Sequence, residues 1–151
     1  MAGSELHVRP FEVRDQRAAR QLILNGLGGH FGFIDETLNP DLDDIQRNYI
    51  EPGGVFLVAE DSDGSIVGTG AMVREAEGIG RVVRVSVESA QRRRGTGRAI
   101  MQRLLELARQ RGYHRVVLET NLDWNDAIGL YRSLGFSEHA HEDGMHMEMD
   151  L

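Results

Sequence analysis

The residues from Val83 to Ile100 constrain the fold more than any other stretch. From Val83 to Val87 apolar and polar residues alternate, the period of a half-buried strand. The chain then turns polar and Arg-rich and passes through Gly95 and Gly97. Beyond them Ile100, Leu104, Leu105, Leu107 and Ala108 recur at helical spacing until Gly112. Strand, basic Gly-rich turn, helix is the layout of an anion site. The first N–H groups of a helix lack backbone partners, and the macrodipole makes that end partly positive. Glycines let the backbone close around a phosphate with no Cβ in the way.

Two other phosphate loops are excluded by residue identity. No Gly-Lys-Ser/Thr follows the glycines, which removes the nucleotide-triphosphatase loop. A dinucleotide fingerprint needs a third glycine at position 100, which is Ile, and no βαβ unit opens the chain. The run Arg92-Arg93-Arg94-Gly95-Thr96-Gly97 instead resembles the acyl-CoA pyrophosphate loop of the GCN5-related N-acetyltransferases, Arg/Gln-x-x-Gly-x-Gly/Ala. A second stretch points the same way. Leu118-Glu119-Thr120, then Ala127-Ile128-Gly129-Leu130-Tyr131-Arg132-Ser133-Leu134-Gly135-Phe136, is similar to that family's Ala-Ile-x-Leu-Tyr-x-x-Leu-Gly-Phe after a strand ending Leu-Glu-Thr. Two patterns in order, one helix and one strand apart, are far more specific than either alone. The resemblance is clear from about residue 66 to 136.

With 151 residues, 40% hydrophobic and 27% charged, the chain reads as one domain, 1–151, with room for a real core. No run of about 18 apolar residues is present, which argues against a membrane span. The N-terminus has no apolar signal region, so a cytoplasmic location is expected. Zero cysteines exclude disulfides, thiol catalysis and Cys-ligated zinc. A net charge of −7 argues against general nucleic-acid binding. The local exception is Arg92, Arg93, Arg94 and Arg98, a basic spot on an acidic body that suits a small anionic ligand. The surrounding acidity either attracts a cationic amine or serves solubility alone.

In chain order, Leu6 to Phe11 reads as a first strand, at an edge because of Pro10. Asp15 is placed to cap a helix through about residue 27, with Ala18, Leu22 and Ile23 on its apolar face. Gly26, Gly28, Gly29 and Gly32 then break the pattern. Residues 28–39, with His30, Phe31, Phe33 and Ile34, are either a substrate wall or an ordinary connection with core aromatics. Pro40 starts a second helix carrying Leu42, Ile45 and Tyr49. Residues 55–59, 66–73 and 79–87 form a three-strand meander with a turn at Asp61–Gly64. After the long helix, residues 114–120 form a strand parallel to the one before it. A helix over 127–134 and strands over 136–141 and 146–151 complete the chain. The expected fold is α/β (α+β): a mixed, mostly antiparallel sheet of about 6–7 strands, helices on both faces, split between two parallel strands.

The resemblance implies acetyl transfer from acetyl-CoA to a primary amine of a small molecule or peptide, by direct attack through a tetrahedral intermediate. Two parallel strands that diverge leave a cleft at the switch point. Pantetheine amides would pair with Val85 and Val87. The pyrophosphate would sit on N–H groups of residues 93–98, with Arg92, Arg93, Arg94 and Arg98 adding charge to Gly95, Thr96 and Gly97. The family's pantetheine-binding Asn falls at Trp124 here, so Asn121 or Asn125 is the candidate contact. Tyr131 matches the family's general acid, and Val87 N–H is the candidate oxyanion donor. Glu119 is the candidate base, with Glu88 or a water relay as alternatives. His139, His141 and His146 with Glu138, Glu142 and Asp143 read as polar strand positions rather than metal ligands, and no metal is expected. A homodimer is a family-level expectation. The competing readings are a non-catalytic acyl-CoA-binding module and a protein N-terminal or lysine acetyltransferase.

Overall fold

The computed structural model describes residues 6–31, 39–89, 95–120, 125–141 and 144–151. Seven strands form one sheet in the order β1-β2-β3-β4-β5-β7-β6: β1 His7–Pro10, β2 Val55–Glu60, β3 Ile66–Ala76, β4 Ile79–Val87, β5 Arg115–Thr120, β6 Ser137–His141 and β7 Gly144–Asp150. All neighbouring pairs are antiparallel except β4 and β5, which are parallel and joined by a helical crossover. The helices are α1 Gln16–Phe31, α2 Thr96–Gln110 and α3 Asn125–Leu134.

Burial explains the two layers. On one sheet face Leu57, Ala59, Met72, Val82, Val116, Leu118 and Met147 meet Ile100, Leu104, Leu105 and Ala108 of α2. On the other, Phe56, Val58 and Ala71 meet Ala19, Ile23 and Leu24 of α1 with Leu42, Ile45 and Tyr49. β2 supplies both cores in alternation, and its first five residues are all buried, as the unbroken apolar run requires. β1 is a sheet edge, where Pro10 costs no ladder bond.

The N-terminal third corrects four expectations. Asp15 is not the cap of α1. It ends a 3₁₀ turn, Val13–Asp15, accepts Glu12 N–H at 2.9 Å, and is buried against Arg9 at 2.7 Å. The apolar face of α1 is Ala19, Ile23 and Leu24, while Ala18 is exposed. The helix also continues through Gly26, Gly28 and Gly29 to Phe31. Glycine costs about 1 kcal/mol inside a helix, but packing overrides it: a Cβ at Gly26 would lie 3.9 Å from Ser86 Oγ, so α1 passes close to β4. The helix expected after Pro40 is two short turns, Pro40–Asp43 and Gln46–Ile50. Asp44 separates them and restarts the chain by accepting Arg47 N–H on Oδ1 at 3.1 Å. Leu42, Ile45 and Tyr49 are buried as expected. Residues 32–38 lie outside the described residues.

Candidate active site

The site begins where two parallel strands part. β4 pairs with β5 only from Ile79↔Arg115 to Val82↔Leu118. Beyond that, β5 stays on β7 as far as Thr120↔Met145, and β4 stays on β3 as far as Gly68↔Val87. Glu88 N–H donates to Val67 O on the β3 side at 2.9 Å. Strand alternation then turns the amides of Val87 and Val85 toward the edge that β5 has left.

A bulge sharpens the parting. The β3–β4 register slips between Thr69 and Ala71, opposite Val83–Ser86. Arg84 takes φ 56, the one left-handed non-glycine among the described residues. Such a conformation costs about 1–3 kcal/mol and persists only where its surroundings determine it. Thr69 Oγ1 donates to Arg84 O at 2.8 Å, fixing the kink. The bulge puts Val83 and Arg84 consecutively on the α1 side, while Val85 packs on the α2 side.

On the α2 face, Gly95 caps the helix at φ 84 with no side-chain cap bond. The first helical bond is Ala99 N–H to Gly95 O at 2.9 Å, so the amides of Thr96, Gly97 and Arg98 precede it without helical partners. A Cβ at Gly95 would meet nothing within 4 Å, whereas one at Gly97 would lie 3.1 Å from Leu130 Cδ2 and 3.6 Å from Val87 Cγ2. Gly97 therefore lets the start of α2 sit against both α3 and β4. Thr96 is buried, and its Oγ1 has no partner among the described residues. Unspent donors, an empty cap and small residues fit a diphosphate.

On the α1 face a cleft of about 450 Å³ is lined by Asp41, Tyr49, Arg81, Val82, Val83, Arg84 and Glu119. Arg84 holds Asp41 in a fork, with Nη2 to Oδ1 at 2.7 Å and Nε to Oδ2 at 3.1 Å, and also reaches Asn39 Oδ1 at 3.1 Å. Tyr49 O–H donates to Asp41 Oδ2 at 2.5 Å. Burial pushes the Asp41 carboxyl up, but its bonds from Arg84 and Tyr49 prevail and hold it below the ordinary value. Burial and the Asp41 carboxylate raise Tyr49 to about 12. Across the mouth, Arg81 donates to Glu119 Oε1 at 2.6 Å and to Glu75 Oε1 at 2.7 Å. The Arg81 hydrogen bond holds Glu75 below its ordinary value.

Tyr131, on α3, is buried in the α2-side core and packs edge-to-face on Phe136 at 6.0 Å. Burial alone pushes its phenol up to about 12.

A seven-strand sheet parted at its parallel pair, with a glycine-capped helix below the fork, is now joined by a sequence comparison. A model of the acetyltransferase (GNAT) family matches residues 13–136. The chain belongs to that family. This acetyltransferase also shares its fold with solved structures. One is an acetyltransferase of the GNAT family from Staphylococcus aureus Mu50, at TM-score 0.89 and 20% identity, covering 97% of this chain and 99% of that one. A PaiA N-acetyltransferase from Thermoplasma acidophilum, in complex with coenzyme A, gives TM-score 0.83 and 12% identity over 97% and 99%. YncA, a putative acetyltransferase from Salmonella typhimurium with acetyl-CoA, gives 0.76 and 20% over 97% and 94%. No curated protein matches the sequence.

Of the expected site residues, Val85, Val87, Gly95, Thr96 and Gly97 lie together at the fork of the acetyltransferase. The Arg98 guanidinium donates to Ser133 Oγ of α3 at 2.7 Å. Glu119 stands at the mouth, bonded to Arg81. Glu88 is exposed just past β4. Arg92, Arg93, Arg94 and Asn121 lie outside the described residues, and Asn125 is described only as the first residue of α3. Among the described residues no cluster suited to a metal occurs. Sequence reasoning missed Asp41, Arg81 and Arg84 as site residues. The available signal was Arg84 itself, a charge between Val83 and Val85 in a strand otherwise set to be half buried.

Proposed function

We propose that this acetyltransferase moves an acetyl group from acetyl-CoA to a primary amine of a small molecule or peptide, by direct attack of the amine. The observation that carries the reading is the end of β4–β5 pairing at Val82↔Leu118, beyond which β4 runs on to Val87 against the glycine-capped start of α2 at Gly97. Acetyl-CoA supplies a thioester whose carbonyl carbon is the electrophile. The amides of Thr96, Gly97 and Arg98 would hold its diphosphate, and Val85 and Val87 would pair with its pantetheine arm. Arg92, Arg93, Arg94 and Asn121 or Asn125 remain assigned to the same ligand by resemblance.

Val87 N–H points at the edge where the carbonyl oxygen would gain charge, and a fixed donor there is worth about two to three decades in rate. Tyr131 serves the leaving sulfur. Its phenol stays protonated up to about 12, and a thiol ionises near ~8.5, so the phenol is the weaker acid. Its part is therefore to donate a hydrogen bond to the departing thiolate, with complete proton transfer completed by solvent. Glu119 Oε2, which has no bond among the described residues, is the open carboxylate oxygen nearest the acceptor mouth. It accepts the amine proton directly or through a water.

The test is a panel of polyamines, amino acids, aminoglycosides and peptides with acetyl-CoA, reading free thiol release. Amine-dependent thiol release with acetylated amine as product supports the proposal. Tight coenzyme A binding with no turnover on any amine would make the chain an acyl-CoA-binding module instead.

A further inference from the structure

The cleft on the α1 face holds two pairs of opposite charge, yet not all of their hydrogen-bonding atoms are used. Arg84 spends Nε and Nη2 on Asp41, Tyr49 and Asn39, while Nη1 makes no hydrogen bond among the described residues. Asp41 is saturated in turn, with both oxygens taken by Arg84 and Oδ2 also by Tyr49. Arg81 divides its guanidinium between Glu75 and Glu119. Glu119 has only Oε1 engaged. Among the described residues two groups lining the cleft are thus unspent: a guanidinium N–H pair on β4 and a carboxylate oxygen at the end of β5.

Arg84 is also the left-handed residue of the bulge, and its carbonyl is tied to Thr69. Backbone and side chain are both fixed, so the free Nη1 is a pre-set donor rather than a mobile tip. A planar guanidinium edge pairs best with a carboxylate, whereas a lone carboxylate oxygen pairs with an ammonium or takes its proton.

We propose that the acceptor is an amino acid-like amine, carrying a carboxylate that Arg84 Nη1 holds while Glu119 faces the amine. This rests on the acetyl-transfer reading above and narrows it. A cleft of about 450 Å³ suits such a molecule. A polyamine would meet Glu119 but would leave the Arg84 donor unpaired and facing like charge.

The experiment compares matched acceptors with acetyl-CoA: phenylalanine against phenethylamine, methionine against 3-methylthiopropylamine, and spermidine. At least one amino acid should exceed its decarboxylated partner tenfold or more in kcat/KM, and Arg84→Met should erase that ratio by raising the amino acid KM. Arg84→Lys, which keeps a charge but not the fork, should retain part of the ratio with acetyl-CoA KM unchanged; it also serves if the Met variant does not fold. Equal or better turnover of the decarboxylated amines or spermidine overturns the proposal while leaving acetyl transfer intact. Failure of every amine, with no coenzyme A bound in calorimetry, removes the underlying reading instead.

Discussion

The two sides of the fork are built from different materials. The α2 side is backbone: amides at Thr96, Gly97 and Arg98 that are unpaired among the described residues, a glycine cap, and the edge of β4 beyond its pairing with β5. The α1 side is side chain: Arg84 on Asp41 and Arg81 on Glu119, joining residues 43 and 38 positions apart. A backbone site is specified by a few contiguous residues and binds any ligand with the same diphosphate. A side-chain site requires the whole fold and changes with each substitution. If the proposed assignment holds, donor and acceptor substrates can be altered separately.

The largest expected effect breaks the backbone side. Gly97→Glu places a carboxylate among the free amides and a Cβ 3.1 Å from Leu130 Cδ2. The leucine tip can yield by a few tenths of an ångström, so the fold survives, but the repulsion does not relax. Coenzyme A affinity by calorimetry should fall by about 100-fold or more, roughly 2.7 kcal/mol, with an unchanged far-UV dichroism spectrum. Undiminished affinity would remove the diphosphate assignment.

Tyr131→Phe comes next and separates chemistry from binding. Loss of a hydrogen bond to the leaving sulfur should lower kcat by about 100-fold with little change in coenzyme A affinity. The phenol has no partner among the described residues, and only burial shifts it. Removing a buried hydroxyl with no partner is neutral or stabilising, so the melting temperature should stay level or rise. A fall in stability with full turnover would make Tyr131 a packing residue alone.

The contrast also explains what the sequence could reveal. The meander, the crossover and the parallel β5 were legible because period and turn residues are local. So was the glycine start of α2, since Gly95 and Gly97 bear their meaning in a few positions. The course of α1 was not legible. Its glycines argued for a break, yet the helix runs on to Phe31, passing β4 where a Cβ at Gly26 would only touch Ser86 Oγ at 3.9 Å, 60 positions away. The acceptor wall was hidden for the same reason. Asp41 stood unmarked in the helix expected after Pro40, and only the bulge at Arg84 brings its partner to it. Asp15 misled in the opposite direction: its place before a helix suggested a cap, but Arg9 from the neighbouring strand claims it.

Asp41→Asn sharpens the comparison from the acceptor side. It replaces an acceptor-only carboxylate by an amide whose N–H₂ faces Arg84. Loss of the charged hydrogen bonds should cost about 1–3 kcal/mol in denaturant unfolding. Arg84 would lose its fixed position, so the acceptor KM should rise about tenfold while the acetyl-CoA KM stays put. Parallel changes in both constants would mean that the two sides are one coupled unit.

The smallest expected effect concerns pH. Asp41 sits below its ordinary value of 3.8 in the folded chain, so the unfolded chain binds its proton first as pH falls. The stabilisation from this group is complete above the ordinary value and disappears as pH drops through the lower folded value. Asp15, buried but held down by Arg9, and Glu75, held down by Arg81, contribute in the same direction, so acid unfolding of the wild type carries all three. Subtracting the unfolding free energy of Asp41→Asn isolates one of them. The wild-type advantage over Asn should be flat from pH 7 to about 5 and shrink below about 4. A difference that stays constant down to pH 2.5 would mean that Asp41 is not held by Arg84 in solution. The pre-set guanidinium on the acceptor wall would then lose its support, while the backbone site under α2 would be untouched.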